Sequence, residues 1–268
     1  MRWPADSKDY PLYLRTRIRK GCGCGIEADY VPWHNVRDIP SRGTSGIPGG
    51  VRVDRPFHLL SEYEKIYFML MERRPRTVDI REQFPILDIK RSLEFCASLG
   101  LTHKRKGAYP EPFTIDFLIT EQGSSGLHYR AASVKPQIDD LDEKAQLTLR
   151  LEMLWCAEKS IPWTLVDPKR FGDTKVTLQT LHFLRAWHIH HFQPVRETCA
   201  AFAAHFLSIY KRNVPLIDLI GKTAKHMRLS RDDATDMFRF CGWAKYIDVS
   251  VVHPMVLNAP LFLNTGRA

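Results

Sequence analysis

The chain has 268 residues, 44% of them hydrophobic and 26% charged, with a formal net charge of +9. That make-up fits one large or two ordinary packed domains, and six cysteines without paired spacing exclude a disulfide framework. No apolar run is long enough to span a membrane and no signal-like stretch opens the chain, so a soluble, cytoplasmic protein is expected, with nucleic acid ahead of membrane as its anionic partner.

Residues 1–57 read as irregular. Their basic run, Arg15, Arg17, Arg19 and Lys20, either tracks a phosphate backbone or is a solvated tail. Cys22-Gly23-Cys24 lacks the second cysteine pair of a structural zinc site. Gly43–Gly50 reads as a surface loop, lying over DNA or simply connecting. His58–Arg74 is an apolar-rich helical stretch that carries Glu64. A break at Pro75 leads to a strand through Val78 and Ile80, with Arg81, Glu82 and Gln83 at its exit. Those three polar groups form either a second layer around metal or phosphate, or an Arg–Glu pair closing a sheet end. Pro85–Gly100 reads as a short helix stopped by Gly100. The cluster Lys104, Arg105 and Lys106 follows, a DNA contact or a solvated loop.

Next come two strands, Phe113–Thr120 and Leu127–Lys135, joined through Gly123-Ser124-Ser125-Gly126. Strand periodicity turns Asp116 away from the bulky row Ile115, Phe117 and Ile119. With the hairpin centred on its turn, Asp116 falls opposite Ser133 and diagonal to Lys135. A carboxylate and a lysine converging where strands leave a sheet outline a metal-dependent phosphodiesterase site. Mg²⁺ on carboxylates would supply charge and an activated water, Lys135 would orient or deprotonate that water or neutralise the phosphate, and Glu64 is the best second carboxylate. The rival reading is a surface Asp and Lys at a sheet edge.

Pro136 ends that strand, and the acidic run Asp139, Asp140, Asp142 and Glu143 opens a helix to about Glu158. Its apolar stripe is Leu147, Leu151, Leu154 and Trp155, with Glu152 beside it. Ile161–Val166 reads as a further strand, and 168–177 as the boundary between domains 1–170 and 171–268. Beyond it lie helices at Thr177–Trp187, Val195–Tyr210, Pro215–Met227 and from Ser230 to about Cys241, then a strand at Tyr246–Val252. That order is winged-helix-like. The last helix mixes Arg231 and Arg239 with Asp232, Asp233 and Asp236, so DNA binding and protein docking both stay open. His188, His190 and His191 read as packing or surface groups rather than metal ligands.

Five ordered stretches add a family resemblance: Asp29-Tyr30-Val31-Pro32-Trp33, His58-Leu59-Leu60-Ser61, Asp79-Ile80-Arg81-Glu82-Gln83-Phe84-Pro85, Val134-Lys135-Pro136 and Ile161-Pro162-Trp163. Together they resemble the TnsA endonucleases of heteromeric cut-and-paste transposons, closely over Gly21 to Asp167 and in outline beyond. The resemblance implies an α/β, restriction-endonuclease-like mixed sheet flanked by helices, of the PD-(D/E)xK type, to which the element order adds the mainly helical, winged-helix-like C-terminal domain. It implies a helical Glu, a strand Asp and a strand Lys as the catalytic set, which fall on Glu64, Asp116 and Lys135, with a further helical glutamate at Glu152. Ser133 stands where the family carries Gln, which puts direct metal contact there in doubt; the Val134 carbonyl is the alternative oxygen ligand. Mg²⁺, replaceable by Mn²⁺, is the implied cofactor. Implied partners are double-stranded transposon ends, a TnsB-like transposase and a TnsC-like AAA+ ATPase regulator, with nucleoid association during transposition. Two rivals remain: an inactive DNA-binding or assembly subunit, and a stand-alone restriction-like nuclease.

Overall fold

Residues 1–38 and 45–264 are described in a computed structural model. They fall into two compact units, Met1–Glu72 with Arg76–Pro168, and Arg73–Pro75 with the chain from Lys169 onward.

The first unit does not begin as irregularly as its sequence reads. Leu12–Arg19 forms helix α1, which buries Leu14 and Ile18. Those side chains pack with Tyr10, Trp33 and Leu87 in a small core of their own. Residues 43 and 44 of the expected loop lie outside the described residues. The rest is tied down, because Gly46 bridges Leu59 and Gly49 bridges Pro56.

Helix α2 runs Glu62–Glu72, shorter than its apolar stretch. Ser61 sets the start: its hydroxyl accepts from the Glu64 amide at 3.1 Å and donates to Glu64 Oε1 at 3.1 Å. Ser61 thereby caps the first turn, and Glu64 reaches back to the Ser61 hydroxyl and the Leu60 amide. Strand β1 (Thr77–Pro85) follows, then helix α3 (Ile89–Leu99). Gly100 closes α3 in the left-handed conformation, φ 68°. The basic cluster is no plain loop but half of a minimal exposed hairpin, β2 (Arg105–Lys106) against β3 (Tyr109–Pro110).

The expected long hairpin is β4 (Thr114–Gly123) and β5 (Gly126–Val134), turning at Ser124-Ser125 with Gly123 facing Gly126. Gly126, at φ 112°, takes a backbone shape few other residues tolerate. Helix α4 (Glu143–Glu158), N-capped by Asp142, leads to β6 (Trp163–Val166). The sheet order is β1-β4-β5-β6: β4 is antiparallel to both neighbours, and β6 runs parallel to β5. A helical crossover joins β5 to β6, as a parallel pair requires.

This mixed sheet is covered on both faces. Tyr67 of α2 stacks near Phe117, ring centres 5.3 Å apart. Leu118 and Ala131 share the other core with Leu151 and Trp155 of α4. The polar side chains on β4 are therefore inside the protein, and each needs a partner.

The second unit is helical: α5 (Thr174–Ile189), α6 (Arg196–Ile209), α7 (Leu216–Met227) and α8 (Arg231–Trp243). Ser230 caps α8 as its sequence indicates, accepting from the Asp233 amide at 3.0 Å. The strand expected at Tyr246–Val252 is absent among the described residues. A single bridge, Val249 to Leu263, and the bond from Ser250 N to Phe262 O stand where a ribbon was expected. His190 caps the end of α5, and His191 lies past it with φ 57°. His190 Nδ1 is 2.9 Å from Asp236 Oδ1, which also takes Arg239 at 2.8 Å. Among the described residues no helix is long and apolar enough to cross a membrane.

Candidate active site

Asp116 sits on the central strand, 8% exposed, one step beyond the Phe117–Ala132 pair. That register sets it against Ser133, as the turn-centred hairpin requires. Its Oδ2 accepts from the Val134 amide at 2.7 Å and from Lys135 Nζ at 3.1 Å. Both contacts use one oxygen, so Oδ1 makes no hydrogen bond among the described residues. Lys135 leaves the sheet just past the end of β5. Asp116, the largest influence on it, holds its ammonium above the ordinary lysine range, with Glu152 and Glu64 adding to the effect. Lys135 is thus a cation paired with Asp116, with the acids Glu152 and Glu64 near enough to act on it.

Glu64 reaches the same region from the first turn of α2, 6% exposed. Its Oε2 accepts from the Leu60 amide at 2.9 Å, and Gln83 Nε2 lies 3.5 Å away. Burial, then the Asp116 charge, lifts its carboxyl to about 7. A buried acid whose ionisation a neighbouring carboxylate disfavours would be relieved by a cation placed between them. Gln83 is bent there: it holds φ 48° inside β1, a conformation uncommon outside glycine.

Glu152 approaches from α4, 2% exposed. The Ser133 hydroxyl donates to its Oε2 in a short contact. Burial, with Asp116 adding, raises this carboxyl to about 8, against the opposing effect of Lys135. The Ser133 hydroxyl, where direct metal contact was already in doubt, is thus engaged by Glu152.

The other expected residues divide. Arg81 and Glu82 do not form a layer around the carboxylates. Arg81 pairs with Asp79 at 3.2 Å and donates to Thr120 and the Met1 carbonyl. Glu82 takes a two-pronged ion pair from Arg55, at 2.9 and 2.6 Å, and accepts the His58 amide at 3.0 Å. Glu82 thereby anchors the segment leading into α2, and β1 alternation turns it away from Gln83. The run at Arg15, Arg17, Arg19 and Lys20 is split by the helix. Arg15 folds back onto the Tyr10 carbonyl at 2.9 Å, while Arg17 binds Glu111 at 2.9 Å.

A cleft of about 470 Å³ opens over Asp116, Lys135 and Glu152, walled by Lys104, Thr114, Lys144 and Thr148. Lys144 and Thr148 escaped the sequence reading. Their signal was present, since 144, 148 and 152 recur every four residues and share one face of α4. Among the described residues no three His, Cys, Asp or Glu side chains gather closely enough to hold a metal by themselves, and all six cysteines are free. The donor set present does fit a hard divalent cation with coordinated water: carboxylate oxygens from Asp116 and Glu64, and no soft ligand beside them.

The first unit is thus a mixed four-stranded sheet flanked by helices, with buried Asp116 and Glu64 and half-buried Lys135 at one end. Residues 74–167 match the family model for the TnsA-like endonuclease N-terminal domain. The chain is also 31% identical over 168 residues to the transposon Tn7 transposition protein TnsA of Escherichia coli. That alignment covers 63% of this chain and 61% of the relative. The likeness to TnsA-type endonucleases thus rests on more than the five short stretches, and it spans under two thirds of that relative's length.

Proposed function

We propose that the chain is a metal-dependent DNA endonuclease subunit of a heteromeric transposase, cutting the 5′ ends of a transposon during excision. The observation that carries this reading is the meeting of Asp116, Glu64 and Lys135 at one end of a buried sheet, beside an open cleft. A buried carboxyl raised by burial and by a neighbouring charge, close to a cleft, is a functional-site candidate.

In this reading Asp116, Glu64 and the Val134 carbonyl hold Mg²⁺. When bound, the ion supplies positive charge at the phosphate and lowers the pKa of a water. Asp116 Oδ2 is already fixed by the Val134 amide and Lys135, so its other oxygen is presented without reorganisation. Lys135, held protonated by its carboxylate neighbours, serves as a hydrogen-bond donor and positive charge, not as a base. It would orient the attacking water and offset charge gathering on the phosphate oxygens. Glu152, protonated near neutrality, would keep the floor of the cleft from adding a further negative charge. Gln83 would steady Glu64.

The 5′-strand specificity, a TnsB-like transposase and a TnsC-like AAA+ ATPase are proposed from the likeness to TnsA. The helical second unit is proposed to bind DNA or one of those proteins. End-labelled transposon-end DNA, incubated with Mg²⁺ and the partner transposase, tests the reading. Cuts confined to the 5′ ends support it, and cuts at the 3′ ends alone contradict it. The assembly-subunit reading has one supporting observation, the engagement of Ser133 by Glu152 in place of a metal-facing side chain.

A further inference from the structure

A second pocket, of about 630 Å³, lies in the first unit and shares Lys104 with the catalytic cleft. Its cations are Arg17, Lys20, Lys104, Arg105 and Lys106, and His34 lines it with them. His34 is 9% exposed, and its Nε2 has no hydrogen-bond partner among the described residues. A buried donor or acceptor left unpaired is costly, so a group kept in that state points to a ligand.

We propose that this pocket binds a backbone phosphate of the DNA strand away from the bond that is cut, with His34 Nε2 donating to a phosphate oxygen. The proposal rests on the nuclease reading above and adds a second anchoring point to it.

The charges around His34 fit an anion. The carboxylates in the wall are already engaged: Glu111 accepts from Arg17 and from Trp33 Nε1 at 2.8 Å, and Asp38 accepts from the Asn35 amide at 3.0 Å. Lys20 and Lys106 pair with no carboxylate among the described residues, and Lys104 feels Glu111 without a salt bridge to it. Arg17 is fixed in place, its guanidinium 3.7 Å over the Trp33 ring and also held by the Trp33 carbonyl. A rigid positive charge loses little freedom when an anion arrives. Burial, then Lys104 and Arg17, pushes the His34 pKa down to about 3, which keeps the imidazole neutral. A neutral ring still offers one N–H, and an arriving phosphate would offset the cations that suppress its charge. Because Lys104 belongs to both pockets, one strand can run from the second pocket past Lys104 to Asp116. Phosphate contacts of this kind fix register and carry no sequence information.

The experiment is duplex binding by the full chain, read by fluorescence anisotropy without divalent metal so that nothing is cut. His34→Phe is expected to weaken binding about tenfold. His34→Gln, which keeps a donor, should stay within about threefold of the unchanged chain. Lys106→Ala, at an exposed site, should lower the slope of log affinity against log salt by about one. Far-UV circular dichroism checks each fold, and Lys106→Ala serves if His34→Phe does not fold. Duplex binding by both variants equal to that of the unchanged chain overturns the proposal. So does a shift of the His34 ring signals by millimolar inorganic phosphate but not by duplex, which would assign the pocket to free phosphate. Failure of the nuclease reading looks different: no metal-dependent cutting, with the His34 and Lys106 effects intact.

Discussion

Lys135 Nζ and the Val134 amide, from consecutive residues at the end of β5, converge on the same oxygen of Asp116, at 3.1 and 2.7 Å. The shared acceptor orients the carboxylate before any ligand arrives and keeps the lysine charged. Replacing Lys135 by Met removes the charge and keeps the stem. We expect cleavage to fall at least about a hundredfold, the scale of losing one charge-stabilising donor. Binding of Mn²⁺, measured by calorimetry, should survive. Unchanged cleavage by Lys135→Met would remove the lysine from the mechanism.

The two raised acids give a pH signature. Glu152 is lifted from 4.5 to about 8, chiefly by burial. The folded chain therefore keeps a proton that the unfolded chain releases, so this contribution to stability is full below about pH 4.5 and is lost as pH rises toward 8. Glu64, raised to about 7, acts in the same direction. Glu152→Gln should flatten the decline between pH 5 and 8. Urea midpoints at both ends check this, and an equal decline in both proteins contradicts it.

Arg55 and Glu82 form a buried pair, with side chains 5% and 0% exposed. Removing only the arginine strands the carboxylate, so Arg55→Met should cost about 3–5 kcal/mol by urea unfolding. A loss under about 1 kcal/mol would show that the pair does not anchor the approach to α2.

Ser61 links stability to the site, because it caps α2 and holds Glu64 Oε1. Ser61→Ala should cost about 1 kcal/mol of stability. It should also weaken metal affinity, since Glu64 loses a hydrogen bond that fixes its direction. Calorimetric Mn²⁺ affinity equal to that of the unchanged chain would separate the cap from the site.

Much of this was written locally in the sequence. The turn at Gly123–Gly126 set the register that brings Asp116 to Ser133, because strand pairing propagates a turn's alignment without error until a bulge intervenes. Gly100, Asp142 and Ser230 ended or began helices by chemistry confined to a few residues. What failed was long-range. Arg81 and Glu82 read either as a layer around metal or as a pair, yet Arg81 takes Asp79 two residues back and Thr120 across the sheet, and Glu82 takes Arg55. The basic run at 15–20 looked linear, but a helix spreads consecutive residues around its axis. The ribbon expected after Tyr246 did not form, because a strand needs a neighbour long enough to pair with. His34 carried no local signal, since its environment is assembled from α1, the 104–106 hairpin and the chain after Trp33.

The most direct test of the central claim is strand-resolved cleavage mapping on end-labelled transposon-end DNA with Mg²⁺ and the partner transposase, comparing the unchanged chain with Asp116→Ala. The account predicts cuts at the 5′ ends that disappear in the variant, with its fold retained by circular dichroism. Full 5′ cutting by Asp116→Ala, or only 3′ cuts with either protein, would contradict it.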